Sequence, residues 1–129
     1  MNNKKLGTAF EKELCEYLKN NGWWVHFMSP DNRGAQPFDI IAVKDGMACA
    51  IECKTLADSE HVFTIKRLQE NQIYAFRHWN KCGNIDPFIF VKWRNKVAVI
   101  QYDDLLKHQR VRVEEHISIE DWDESISKK

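Results

Sequence analysis

Hydrophobic positions recur with helical spacing near the N-terminus. Apolar side chains fall on one arc when each residue turns the helix by ~100°. The residues on this arc are Leu6, Phe10, Leu14, Tyr17 and Leu18. The pattern ends at Asn20-Asn21-Gly22, where Gly22 is typical of a left-handed C-cap. The spacing therefore predicts a first helix over residues 4–20.

The pattern then changes to short extended segments rich in aromatic and β-branched residues. It predicts a strand over 23–28 and two more over 38–43 and 48–54, around an Asp45-Gly46 turn. Asp-Gly between apolar runs is a strong hairpin signal. Both faces of this hairpin are apolar, so cover is needed on both sides of the sheet, as in an α/β layered fold.

The remaining elements follow from the same criteria: a helix over 65–80, strands over 87–93 and 96–101, and a short helix over 103–108. Val111, Val113, Ile117 and Ile119 alternate as a strand would, and we expect the acidic end of the chain to be frayed. The predicted order is α-β-β-β-α-β-β. We predict one domain, with its main part at residues 1–109 and a partly acidic extension at 110–129.

Composition restricts the class of protein. The chain has 129 residues, 43% of them hydrophobic, which is enough for one core. No apolar run approaches the ~18 residues of a membrane span, and no signal peptide is evident, so we expect a protein of the cytoplasm or nucleoid. Four cysteines without CxxC spacing argue against a zinc site or disulfide framework. The 19 basic and 19 acidic residues cancel, which argues against nucleic-acid binding through bulk charge alone.

Two carboxylates and a lysine interrupt the apolar hairpin. A two-residue turn at Asp45-Gly46 fixes a register that places Asp39 opposite Glu52, with Cβ atoms ~4.5–5.5 Å apart. These carboxylates repel unless one is protonated or a hard cation lies between them, and Mg²⁺ or Mn²⁺ suits such oxygen ligands. Lys54 lies on the same face as Glu52, where an ammonium can orient a metal-bound water or stabilise phosphate charge.

Each of these features also has an explanation that involves no catalytic site. An acid and a lysine two residues apart on a strand often form an ordinary ion pair, and another turn type would slip the register. Glu11 borders the buried stripe of the first helix, where it is either a third site carboxylate or a rim glutamate. Gln72 interrupts the stripe of the second helix, and a buried amide needs partners. It reaches the site or DNA, or it caps a backbone group.

The loop before Asp39 carries polar side chains, including Ser29, Arg33 and Gln36. Arg33 is followed by Gly34, which allows close approach to a phosphate. The alternative is an ordinary solvated loop.

Together these residues resemble a known nuclease superfamily. Pro37-Phe38-Asp39, then twelve residues, then Glu52-Cys53-Lys54 resembles the PD-(D/E)XK signature. The segment 7–11 resembles the Gly-x-x-x-Glu helix opening of its Holliday junction resolvases, and 63–73 resembles the segment after the catalytic lysine in RecU-type resolvases. The resemblance covers about residues 4–105. It implies a restriction-endonuclease-like fold, with a mixed central β-sheet flanked by helices.

The resemblance also implies roles for single residues. Asp39 and Glu52 would bind Mg²⁺ (or Mn²⁺), helped by the backbone carbonyl of Cys53. Lys54 would position or activate the attacking water, and Glu11 would support the water shell of the metal. The remaining candidates are DNA contacts: Ser29, Arg33, Gln36, Lys66, Arg67 and Gln72. The reaction would be metal-dependent hydrolysis of a DNA phosphodiester.

The length and charge of the chain refine this prediction. RecU-type proteins are longer and carry a stalk insertion that this chain lacks, whereas archaeal-type resolvases are nearer in length but usually more basic. A small phage or mobile-element nuclease would reconcile these features. Because resolvases cut two strands symmetrically, we expect a homodimer, with Trp23, Trp93 or Trp122 as candidate contact surface.

We therefore predict a structure-selective endonuclease whose partner is branched DNA. One alternative is a non-catalytic DNA-binding or assembly subunit with the same fold. Another is a protein-interaction module in which Asp39 and Glu52 only pair with lysines.

Overall fold

A computed structural model describes residues 3–28 and 36–127, with side chains from residue 9 onward. Within these residues the elements are α1 (Asn3–Asn20), β1 (Trp24–Phe27), β2 (Ile40–Lys44), β3 (Met47–Thr55), β4 (Val62–Thr64), α2 (Glu70–Lys81), β5 (Phe88–Trp93), β6 (Lys96–Gln101), α3 (Tyr102–His108), β7 (Arg110–Arg112) and α4 (Ile119–Ser127). Short 3-10 turns occupy Ile65–Arg67 and Val113–Glu115.

The main sheet has the strand order β1-β2-β3-β5-β6 in the described part of the chain. Only the β3–β5 pair is parallel there, so the sheet is mixed. Apolar side chains of α1 and α4 form one core with one face of the sheet. Side chains of α2, α3 and the short β4–β7 ribbon form a second core on the other face. The predicted fold class, a mixed sheet covered by helices on both sides, is confirmed.

The β2–β3 hairpin has the predicted register. Its turn residues Asp45 and Gly46 have φ angles of 52° and 77°. Positive φ at both central positions defines the type I′ turn that suits the right-handed twist of a two-residue hairpin. Lys44 consequently pairs with Met47, and Ile40 pairs with Ile51. The first carboxylate, one residue before β2, is thereby carried next to the strand that bears the second.

The segment predicted as one helix over 65–80 is divided. A strand and a 3-10 turn precede α2, which begins only at Glu70. The strand, β4, pairs with β7 and buries Phe63 completely. Three residues are too few to show a strand period, and the partner strand is distant in sequence, so this element was not predicted.

The prediction of a frayed acidic end was wrong. Residues 119–127 form α4, which buries Ile119, Trp122 and Ile126 against the main sheet. Their spacing of three and four residues is helical. The strand predicted across 111–119 is limited to β7, with one further bridge between Ala98 and Ser118.

The three tryptophans expected at a dimer surface are also elsewhere. Trp23, Trp93 and Trp122 are each less than 10% exposed. Trp23 stacks on Trp122 with ring centroids 5.3 Å apart, which joins the start of β1 to α4. These rings hold the fold together and cannot serve as a free contact surface. Among the described residues, no helix is long and apolar enough to cross a membrane.

Candidate active site

Two carboxylates meet where β2 begins and β3 passes it. Asp39 directly precedes β2, and its backbone N–H donates to the carbonyl of Ile51 at 3.1 Å. Its Oδ2 accepts a hydrogen bond of 2.8 Å from the backbone N–H of Cys53. Glu52, between these two β3 residues, is only 2% exposed. The acid pair predicted from the hairpin register is thus brought together.

Lys54 is a direct neighbour of this pair. Its Nζ lies 3.3 Å from Oε2 of Glu52, and its side chain is 17% exposed. Alternation along β3 places the two side chains on one face, as predicted. Cys53, between them, points to the opposite face and lies in the core beneath α1.

Gln72 connects the second helix to the same carboxylate. Its Nε2 donates a hydrogen bond of 2.7 Å to Oε2 of Glu52. Its Oε1 accepts from the backbone N–H of Gln69 at 3.0 Å, as one half of a capping box at the start of α2. Both roles considered from the sequence therefore occur together. The Gln72 amide is thus bonded at both ends within the protein, where it holds Oε2 of Glu52 in place.

Glu52 retains one unsatisfied oxygen. Its Oε1 is buried, and no hydrogen-bond donor reaches it from the described part of the chain. The Glu52 carboxyl shares a side-chain hydrogen bond with the Asp39 carboxyl, so in the metal-free protein a proton is held between the two acids. A cation that replaces this proton can bind both carboxylates. Oε1 of Glu52 is the feature of the site that most directly favours an incoming cation.

The charges of the site repel one another. Burial and the neighbouring charge of Asp39 raise the pKa of Glu52 to about 8, although Lys54 opposes the shift. Burial also raises the pKa of Asp39. The pKa of Glu11, on α1, is raised to about 7 by burial and by Asp39, again against Lys54. Glu11 therefore belongs to the electrostatic environment of the pair, and these pKa shifts are those that a bound cation would reverse.

The donor set fits a hydrated hard cation. Within the described residues, no group of three or more His, Cys, Asp or Glu side chains is arranged to hold an ion. In the described part of the site, the two carboxylates that meet at the start of β2 are those of Asp39 and Glu52. Mg²⁺ commonly binds through one or two carboxylates and keeps several waters, so this set suits it better than a metal that needs a full protein cage. The unsatisfied oxygen of Glu52 agrees with that assignment.

Comparison with known proteins gives the family. A sequence model described as archaeal Holliday junction resolvase (Hjc) matches residues 2–127. The chain belongs to this resolvase family. The crossover junction endodeoxyribonuclease Hjc of Sulfolobus acidocaldarius is 25% identical over 107 residues, which cover 81% of this chain and 72% of that protein.

The resolvase fold is also found among solved structures. The Hjc structure from Archaeoglobus fulgidus, a Holliday junction resolvase, superposes with a TM-score of 0.65 at 18% identity, covering 86% of this chain and 93% of that one. The family match includes α4, although the resemblance seen in the sequence ended near residue 105. The C-terminal segment is therefore part of the region that matches the resolvase family.

Three of the other predicted DNA contacts, Gln36, Lys66 and Arg67, fall within the described residues. Arg67 donates from Nη2 to the carbonyl of Thr55 at 2.8 Å, one residue beyond the site lysine, and Lys66 beside it is exposed. Gln36 lies on the approach to β2, and its backbone carbonyl accepts a hydrogen bond of 2.8 Å from Nδ2 of Asn71. Ser29 and Arg33 lie outside the described residues.

Two contributors were missed by sequence reasoning. Gln69 completes the capping box that orients Gln72, and Asn71 fixes the backbone that leads to the first carboxylate. Gln69 and Gln72 have the N-cap and N3 spacing of a capping box, which was the available signal. The contact of Asn71 depends on tertiary structure and had no local signal.

Proposed function

We propose that this chain is a metal-dependent DNA endonuclease that resolves Holliday junctions. The observation that carries the proposal is the buried pair of Asp39 and Glu52, with one unsatisfied oxygen and with Lys54 beside it. A protein-interaction module has no use for a buried, self-repelling acid pair. Membership in the resolvase family and similarity to the crossover junction endodeoxyribonuclease of Sulfolobus acidocaldarius support the substrate class.

The side chains have distinct roles in this proposal. Asp39 and Glu52 would hold Mg²⁺ or Mn²⁺, with the Cys53 carbonyl as a further ligand, and the ion would supply Lewis acidity at the phosphate. The Nζ of Lys54 would donate to the attacking water or to a phosphate oxygen. Glu11 would accept hydrogen bonds from water at the edge of the site.

The test compares DNA structures and one lysine. Labelled four-way junction, flap, nicked duplex and single-stranded DNA are incubated with Mg²⁺ and with EDTA. We expect Mg²⁺-dependent cutting that is strongest on the four-way junction. Lys54→Ala should abolish cutting and leave junction binding largely intact. Lys92→Ala is the matched control and should leave cutting unchanged. Lys92 is also a strand lysine, but it pairs with Glu13 of α1 on the opposite face of the main sheet.

Two outcomes would contradict the proposal. Equal cutting by wild type and Lys54→Ala would remove this lysine from the mechanism. Junction binding by the wild type without any cutting would instead indicate the non-catalytic DNA-binding or assembly subunit.

We further infer a homodimer that forms through α2. One side of this helix, together with the residue that caps its C-terminus, carries a stripe of exposed and half-buried residues: Asn71, Tyr74, Ala75, His78 and the cap residue Cys82. With Phe38 and Trp79 it lines an open, mainly apolar groove of about 420 Å³. Tyr74 is 71% exposed at its centre. A two-fold axis through the stripe would pair it with itself and bring two sites into one assembly, as two symmetric cuts require.

Cys82 makes the dimer testable in the unmodified protein. It is exposed, whereas Cys15, Cys49 and Cys53 are buried. Cys82 lies about 12 Å along the helix from Tyr74, and the two-fold axis doubles that distance, so a bismaleimide that spans about 25 Å should crosslink the wild type into dimers and leave Cys82→Ser uncrosslinked. Tyr74→Glu should give a monomer in light scattering that nicks junctions without paired cuts. A wild type that is monomeric at micromolar concentration would contradict this interface.

A further inference from the structure

An exposed aromatic pair lies on the edge strand of the main sheet. Trp24 is 62% exposed, although a side chain of this size is normally covered. Its ring stacks on that of His26, with centroids 6.2 Å apart and planes within 11°. β1 is the outermost strand of the sheet, so the pair stands at an open margin of the molecule.

The pair shares a sheet face with the acid pair. Trp24 is paired with Val43, and His26 with Ile41, on β2. Side chains directly opposite each other in an antiparallel ladder point to the same side, and alternate residues along β2 return to that side at Asp39. The backbone N–H of Met28, two residues beyond His26, donates to the Asp39 carbonyl at 2.8 Å.

The register also gives the spacing. With a rise of ~3.4 Å per residue and strands ~4.8 Å apart, the Cα of His26 lies about 8 Å from that of Asp39. The Cα of Trp24 lies about 14 Å away on the same estimate. Between them the surface is formed by the half-buried aliphatic side chains of Ile41 and Val43. The aromatic faces are therefore one to a few nucleotides from a phosphate held at the acid pair.

We propose that Trp24 and His26 form a stacking platform for an unpaired nucleobase of the strand whose phosphate lies at Asp39 and Glu52. This rests on the proposed nuclease function and adds a structure-reading element to it. Bases inside an intact duplex are covered by their neighbours, whereas a base at a strand-exchange point or bulge offers a free π-face. The platform and the candidate active site lie on one continuous face of the sheet. This arrangement favours the DNA substrate, rather than a separate protein, as the partner that covers the two rings.

Trp24 can be observed separately from the other tryptophans. Three of the five are buried and Trp79 is half-buried, so the emission lost in Trp24→Phe isolates the exposed ring. In EDTA, we expect a four-way junction and a duplex with a single-base bulge to quench this emission and shield it from acrylamide. A fully paired duplex of equal length should do neither.

Affinity provides the second readout. Stacking of one base on an aromatic ring contributes to the free energy of binding, so Trp24→Ala should weaken the affinity for the four-way junction and the bulged duplex about tenfold. Its affinity for the fully paired duplex should be unchanged. Trp24→Phe should retain most of the affinity. Leu106→Ala, at another exposed apolar residue on α3, is the control and should change neither.

Several results would overturn the platform. These are unchanged junction affinity in Trp24→Ala, equal losses on junction and duplex, or conversion of a dimer to a monomer by that substitution, which would show a protein contact. Failure of the wild type to bind or cut any of these DNAs would contradict the nuclease function itself, and so separates the two proposals.

Discussion

At the scale of single residues, the site depends on how the oxygens of one glutamate are shared. Oε2 of Glu52 receives the amide of Gln72 and the ammonium of Lys54, while Oε1 receives no donor from the described residues. The two occupied contacts fix the carboxylate plane, and the open oxygen is left for a ligand. The arrangement orients the Glu52 carboxyl group before the ion arrives, so little rearrangement of the side chain is needed on binding.

Gln72→Met tests this positioning role. The substitution keeps the length of the side chain but removes the donor to Glu52, so we expect weaker Mg²⁺ binding, a higher Mg²⁺ concentration for half-maximal cleavage and lower cleavage rates. It also removes half of the capping box, with a loss of about 1–2 kcal/mol in unfolding free energy. Cleavage as a function of Mg²⁺ concentration, together with urea unfolding, measures both effects.

Gln69→Ala is the matched control for that experiment. It removes the other half of the same capping box but leaves the Gln72 donor to Glu52 in place. It should lower stability while leaving the Mg²⁺ dependence near that of the wild type. If both variants shift the Mg²⁺ requirement equally, Gln72 acts only through the helix and not on the carboxylate.

At the scale of elements, the sequence predicted the structure correctly where a tight turn or a long helical repeat of apolar residues determined it. The Asp45-Gly46 turn fixed the hairpin register, and with it the meeting of Asp39 and Glu52. Features that depend on partners distant in sequence were not predicted. The strand β4 forms through its pairing with β7, and the hydrogen bond between Asn71 and Gln36 joins α2 to the segment before β2. The acidic composition of the C-terminus concealed the helical spacing of α4.

Trp122→Ala tests whether α4 is part of the cooperative fold. The ring is 3% exposed and packs on Trp23 and, edge to face, on Phe90 with centroids 4.9 Å apart. Removing it should lower the unfolding free energy by about 3–5 kcal/mol. Ser125→Ala, on the exposed side of the same helix, should change it little. Denaturant unfolding, followed by fluorescence and by circular dichroism, measures the unfolding free energy of both variants. If Trp122→Ala changes this free energy only slightly, α4 is not part of the cooperative fold.

At the scale of the whole molecule, stability and function make opposite demands on the same carboxylates. The chain has no net charge, so the strongest electrostatic strain is local, at the acid pair and Glu11. Without metal, the fold must keep protons on groups that water would ionise. A bound cation removes that requirement, so metal binding and folding should be coupled.

The pH dependence of stability follows from this coupling. The unfolded chain releases the Glu11 and Glu52 protons near the ordinary pKa of 4.5, whereas the folded chain holds them until about pH 7 and 8. Between these limits the folded state binds more protons than the unfolded state, so the stability of the metal-free protein should fall as pH rises from about 4.5 to 8. Urea unfolding in EDTA across this range measures the fall.

Mg²⁺ should stabilise the protein more at pH 8 than at pH 6, and Glu52→Gln should flatten the fall in stability with pH and remove most of the Mg²⁺ effect. Stability that rises through this window would show that the folded carboxyl groups do not hold their protons to higher pH than the unfolded ones. An equal Mg²⁺ effect in Glu52→Gln would show that Glu52 does not hold the ion.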